Sequence, residues 1–184
     1  MLRCYLFVLC LLQIATVAES RLGMQSLNSS DTFANAHISK ATQTRIAELL
    51  EQNSVDWDRG RLSQLRARRV SLMPEKNDGL ALLSTATEDC GATGNCFFTI
   101  LQQNPKGWRV VLRETAIEGF TIINDTHHGL YDIKLSTNDS AESSLLYVAA
   151  FDGNEYHFTH CFRVVERKGG DHSSPVPCPK QNTE

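Results

Sequence analysis

Apolar residues fall at helical spacing near the start of the chain and at alternate positions through the rest of it. Ile38, Ala41, Ile46, Leu49 and Leu50 lie near one face, with Lys40, Gln43, Arg45 and Gln52 around the remainder. This spacing predicts a helix packed on a sheet, stopped at Asn53 and Ser54. From Arg68 the period becomes strand-like. Val70 and Leu72 flank Ser71, and a turn at Lys76-Asn77-Asp78-Gly79 leads into Leu80-Ala81-Leu82-Leu83. Segments 97–101, 108–112, 120–123, 131–135, 145–151 and 156–158 read as further strands. Asn104-Pro105-Lys106-Gly107 is a turn, because proline presets its φ and glycine tolerates a positive one. Asp152-Gly153 predicts a two-residue type I′ hairpin. Val110, Leu112, Ile122, Ile133, Leu135 and Val148 are the expected buried positions.

The strand pattern repeats. A first unit runs from about Val70 to Leu112 and a second from about Phe120 to Cys161, at a period on the order of 50 residues, the range of blade-type β repeats. Gly79 matches Gly129, and Gly107-Trp108 matches the turn from Asp152 to Tyr156. Two blades do not close a propeller. The expected fold is therefore mainly β: an antiparallel meander or sandwich of two blade-like repeats, with an N-terminal helix covering one face.

The N-terminus changes the picture of where the protein works. Arg3 precedes an apolar run from Cys4 to Ala15 broken only by Gln13, and Thr16, Ala18 and Ser20 are small residues suited to signal-peptidase cleavage. The run is shorter than the ~20 residues of a membrane span. Residues 1–20 read as a signal peptide, 21–35 as a flexible arm, 36–168 as one β-rich domain with its helix, and 169–184 as an irregular Gly/Ser/Pro-rich tail. The expected location is secreted or periplasmic, with no membrane attachment after cleavage. A net charge of −3 gives no basic excess for nucleic acid. Arg59, Arg61, Arg66, Arg68 and Arg69 form one local basic run, read as a solvated face balanced by Asp56 and Asp58 rather than an anion site.

Cys4 and Cys10 lie in the leader, and the other four cysteines allow three pairings. Proximity favours Cys90 with Cys96, since Gly91 and Gly94 permit a tight loop, and leaves Cys161 to pair with Cys178. A Cys96–Cys161 cross-strand bridge is the rival. The spacing is not Cys-x-x-Cys and no cation adjoins it, so the pairs read as staples rather than redox centres. Gly91, Ala92, Thr93, Gly94 and Asn95 form the candidate binding loop.

The Cys90–Cys96 run, Phe97-Phe98, the stretch Gly129-Leu130-Tyr131-Asp132-Ile133, the stretch from Phe151 to Tyr156, and Cys161 together resemble secreted bacterial proteins of unknown function. Those proteins are similar to paired FG-GAP or VCBS-type β repeats, the unit of integrin-like propellers. The resemblance covers the C-terminal two-thirds of the chain and implies a fold. Asn124, Thr126 and His128 stand where calcium-binding members carry acidic ligands, and only Asp132 fits. No metal or cofactor is expected.

Other clusters point to no chemistry. His157 and His160 would face opposite sides of a strand, His127-His128 lies in a predicted turn, and Asp171-His172-Ser173 has triad residue types in the tail. Recognisable nucleophile elbows, zincin motifs, phosphate loops and dinucleotide fingerprints are absent. Asn28, Asn124 and Asn138 begin Asn-x-Ser/Thr triplets, relevant in a glycosylating eukaryotic host. The sequence thus predicts a secreted, non-catalytic module that binds a protein or extracellular polymer. One alternative is an enzyme inhibitor presenting the disulfide-closed loop, and another is an unrecognised hydrolase.

Overall fold

Ser39 starts the helix by accepting a hydrogen bond on Oγ from the Thr42 N–H at 3.2 Å, which satisfies one of the donors a helix N-terminus leaves unpaired. Helix α1 spans Lys40–Asn53 in the computed structural model, which describes residues 26–53, 59–168 and 170–179. Asn53 Nδ2 closes its end on Leu49 O at 2.7 Å. The helix buries Ile46, Ala47 and Leu50. Ala41 stays exposed, and Ile38 precedes the helix, behind His37 at a φ of 54°.

Nine strands follow among the described residues: β1 Leu65–Val70, β2 Gly79–Ser84, β3 Cys96–Asn104, β4 Gly107–Ile117, β5 Gly119–His127, β6 Leu130–Ser140, β7 Ser143–Phe151, β8 Tyr156–Val165 and β9 His172–Pro175. They form two antiparallel sheets in simple meander order, β1-β2-β3-β4 and β5-β6-β7-β8-β9. The chain passes from one sheet to the other through Glu118, the residue between β4 and β5. Each sheet thus begins with a four-strand meander, the order expected of the two sequence units.

The sheets share a core. Ala81, Leu83, Phe98, Ile100 and Leu112 from the first meet Phe120, Ile133, Leu135, Tyr147 and Ala149 from the second. Phe98 and Phe120 pack across the interface with ring centroids 5.0 Å apart. The opposite face of the first sheet carries Leu65, Ala67, Leu80, Leu82 and Leu101, covered by Phe33, Ile38, Ile46 and Leu50. Strand β2 is therefore buried along its whole length, which explains why it reads as an unbroken apolar run. Leu112, Ile133 and Leu135 are fully buried as expected, whereas Val110, Ile122 and Val148 are half-buried.

Three connections differ from the sequence expectation. The β1–β2 turn tightens earlier, at a Met73–Lys76 bridge, with Glu75 at a φ of 59°. The β7–β8 connection is not a two-residue type I′ turn. Phe151 pairs with Tyr156, and Asp152 Oδ1 accepts from the N–H groups of Asn154 at 2.7 Å and Glu155 at 2.9 Å. This local side-chain bonding favours a wider loop. The tail is not irregular throughout either, since β9 pairs with β8 from Phe162↔Pro175 to Val165↔His172.

Residues 26–35 are tied down instead of loose. Leu27 is buried, and Asp31 forms a two-pronged pair with Arg68 at 2.8 and 2.6 Å. The Ala67 N–H donates to Asp31 O at 3.1 Å, so this segment covers the open edge of β1. The arginine run owes its order to such contacts. Arg61 pairs with Asp89, Arg66 donates to Leu27 O at 2.9 Å, and Arg69 lies over Trp108. Asp56 and Asp58 lie outside the described residues.

Burial of the Asp31 carboxyl opposes its ionisation. The hydrogen bonds from Arg68 and from the Asn28 N–H outweigh that effect and hold it below its ordinary value of 3.8. A folded-state value below the unfolded one stabilises the fold above 3.8, and that contribution is lost as pH falls through the folded value. Asp31→Asn is expected to cost about 1 kcal/mol at neutral pH and to make stability less acid-sensitive. Urea midpoints measured above and below the carboxylate range check this, and an unchanged acid slope would refute it.

Candidate functional site

The loop from Cys90 to Cys96 is built in three stages. A short 3₁₀ turn at Thr87–Asp89 delivers Cys90, whose N–H donates to Thr87 O. Cys90 and Cys96 then pair as an isolated antiparallel bridge and are joined by a disulfide, with Cα atoms 4.0 Å apart. Inside the ring, the Gly91 N–H donates to Asn95 O at 2.8 Å and the Gly94 N–H to Gly91 O at 2.9 Å. Gly94 takes a φ of 79°, a conformation a side chain at that position would strain. Cys96 opens β3, so the loop base is continuous with the first sheet.

Asn95 couples this loop to the second sheet. Its Oδ1 accepts from the Asn138 N–H at 2.7 Å, and its Nδ2 donates to Asn138 O at 2.8 Å. The carboxamide thus occupies the place a neighbouring strand would take. Strand β6 has such a place open, because its pairing with β5 ends at Ser136 opposite Gly119. Asn95 Nδ2 also bonds Thr93 Oγ1 at 2.8 Å, and Asn138 Nδ2 donates to Thr93 O at 3.0 Å. Of the five loop residues singled out from the sequence, Gly91, Ala92, Thr93 and Gly94 are exposed, while Asn95 is 9% exposed and points inward. The presented surface is therefore the Gly91–Gly94 tip, and Asn95 holds it. An open groove of about 420 Å³ lies beside Asn138, lined in part by Ser26, Glu118, Ser136, Ser140 and Glu166.

The second disulfide, Cys161–Cys178, fixes the tail to β8 with Cα atoms 5.2 Å apart. The Val176 N–H donates to Cys161 O at 2.9 Å beside it. These two bridges are the pairings of nearest cysteines read from the sequence.

At the far end of β3 the structure gathers polar groups that sequence spacing does not reveal. Gln102 receives two hydrogen bonds from Arg109, at 3.1 and 2.7 Å, and donates to Asp78 at 3.2 Å. Arg113 pairs with Glu155 at 2.8 Å across the two sheets. His127 is not simply solvated, for its Nδ1 bonds the buried Asp132 carboxylate at 2.7 Å. The Tyr156 hydroxyl donates to Tyr131 O at 2.7 Å. Burial first, and then the negative charges of Asp132 and Asp78, push that phenol above its ordinary value of 10.0, so it stays neutral. His157 bonds Asp152 at 3.0 Å, while His160 is exposed beside Thr159. His172 and Ser173 lie on β9, paired with Val165 and Val164. Asp132, the residue that fits the calcium-binding pattern, is engaged by His127, and no group of three or more His, Cys, Asp or Glu among the described residues could hold a metal ion.

No protein family, curated protein or solved structure matches the chain.

Proposed function

We propose that this chain is an exported, non-catalytic β-sandwich module that binds a protein partner through the tip Gly91-Ala92-Thr93-Gly94. One observation carries this reading: an exposed tip is held by a disulfide, by β3, and by the Asn95–Asn138 hydrogen bonds to the other sheet. A loop ordered before binding avoids part of the ~0.5–1.5 kcal/mol that each immobilised side chain costs on association. The two disulfides support an oxidising compartment, secreted or periplasmic. The successive meanders support the description as paired blade-like repeats. The same preordered tip also suits an inhibitor that enters an enzyme cleft, the case in which the partner is an enzyme.

The test uses the mature chain as bait in secreted or periplasmic extract, beside Ala92→Arg, Thr93→Arg and Lys106→Glu. Lys106 sits in the β3–β4 turn, at the other end of β3 from the loop. A partner retained by the wild type and Lys106→Glu, and lost about tenfold or more by either loop variant, is the expected result. Equal retention by every variant would exclude the tip as the contact.

A further inference from the structure

The three Asn-x-Ser/Thr triplets meet different fates in the fold. Asn138 is half-buried, and its amide nitrogen donates to Thr93 O at 3.0 Å as part of the loop anchor. Asn28 closes a local turn, with its Oδ1 accepting from Ser30 N at 2.9 Å and Ser30 Oγ at 2.6 Å. Asn124 stands on β5, the open edge of the five-stranded sheet. The β5–β6 register breaks between Ile122 and Thr126, so Asn124 lies outside the paired positions. Asn124, Asp125 and Thr126 are all exposed.

We propose that Asn124 is an acceptor of an N-linked glycan, with Thr126 as the hydroxyl residue of its triplet, and that Asn138 is left unmodified. The proposal rests on the export reading above, narrowed to a glycosylating secretory route. The co-reactant is an oligosaccharide linked to a lipid pyrophosphate. Asn124 Nδ2 forms a bond to the anomeric carbon, the bond from that carbon to the pyrophosphate oxygen breaks, the lipid pyrophosphate departs, and the amide nitrogen gives up one proton. The bulky, hydrated product suits this place. An edge strand presents unpaired backbone groups that template pairing with another chain, and a glycan on β5 covers them. On Asn138 the same group would sit on the nitrogen that anchors Thr93, between the loop and β6.

The full chain is expressed in cultured eukaryotic secretory cells, and protein from the medium is treated with peptide N-glycosidase in heavy-oxygen water before peptide mapping. Each asparagine that carried a glycan then becomes a heavy-labelled aspartate. Label at position 124 and none at 138 is expected, and Asn124→Gln should lose the mass of one glycan. Protein in the medium with Asn124 unlabelled, or with Asn138 labelled, overturns the assignment and leaves export standing. Unlabelled protein retained in cells with residues 1–20 attached overturns both.

Discussion

Replacing Phe98 by alanine is expected to destabilise the protein by ~3–5 kcal/mol, the usual effect of emptying a buried aromatic site. Phe98 has no exposed surface, and its ring packs on Phe120 from the opposite sheet. The cavity would open between two sheets, each stiffened by its own ladders, so little collapse can fill it. For a chain of this size the corresponding drop in melting temperature is on the order of 10 °C. Phe98→Leu should recover most of the loss, because much of the buried volume returns. A loss below about 1 kcal/mol for the alanine variant would mean that the sheets do not share the core described.

The second large effect concerns the tail. Removing both Cys161 and Cys178 is expected to cost ~3 kcal/mol, since their bridge closes a span of 17 residues in the unfolded chain. The loss should also be local. Strand β9 is four residues long, so amides paired between β8 and β9, such as those of Arg163 and Ser174, should exchange faster than those of β2 and β3. Thermal unfolding gives the first quantity and hydrogen exchange the second. Uniformly faster exchange across both sheets would show that the bridge supports the whole sandwich instead of its last strand. The Cys90–Cys96 bridge, with a separation of 6, closes a smaller ring and contributes less on the same argument.

Much of the fold is legible because burial imposes a period. Strand β7 is legible as an unbroken apolar run at 145–151, and the Pro105-Lys106 turn carries its own chemistry. Strand β9 escapes such reading because His172, Ser173 and Ser174 have no apolar face. Its place is set by the Cys161–Cys178 bridge and the Val176 N–H, not by a pattern. The order of residues 26–35 likewise depends on Leu27 and on Asp31 meeting an arginine 37 positions away. The site was half legible. Two cysteines and two glycines mark the loop, but nothing local shows that Asn95 turns inward to grip a backbone 43 residues further on. An asparagine in a glycine-rich loop reads as solvated, and only the packing of one sheet on the other gives it a partner.

The single-residue joint at Glu118 separates two runs of consecutive hairpins. Among the described residues, each strand ladder joins strands that are adjacent in sequence. Each ladder closes a short connection except β2–β3, whose connection from Thr85 to Asn95 is shortened by the Cys90–Cys96 bridge, so the loop-closure cost of each pairing stays small. Each meander can zip locally, and with one residue between them the second emerges already tethered to the first. Forming the sandwich then requires the two meanders to meet through contacts such as Phe98 with Phe120.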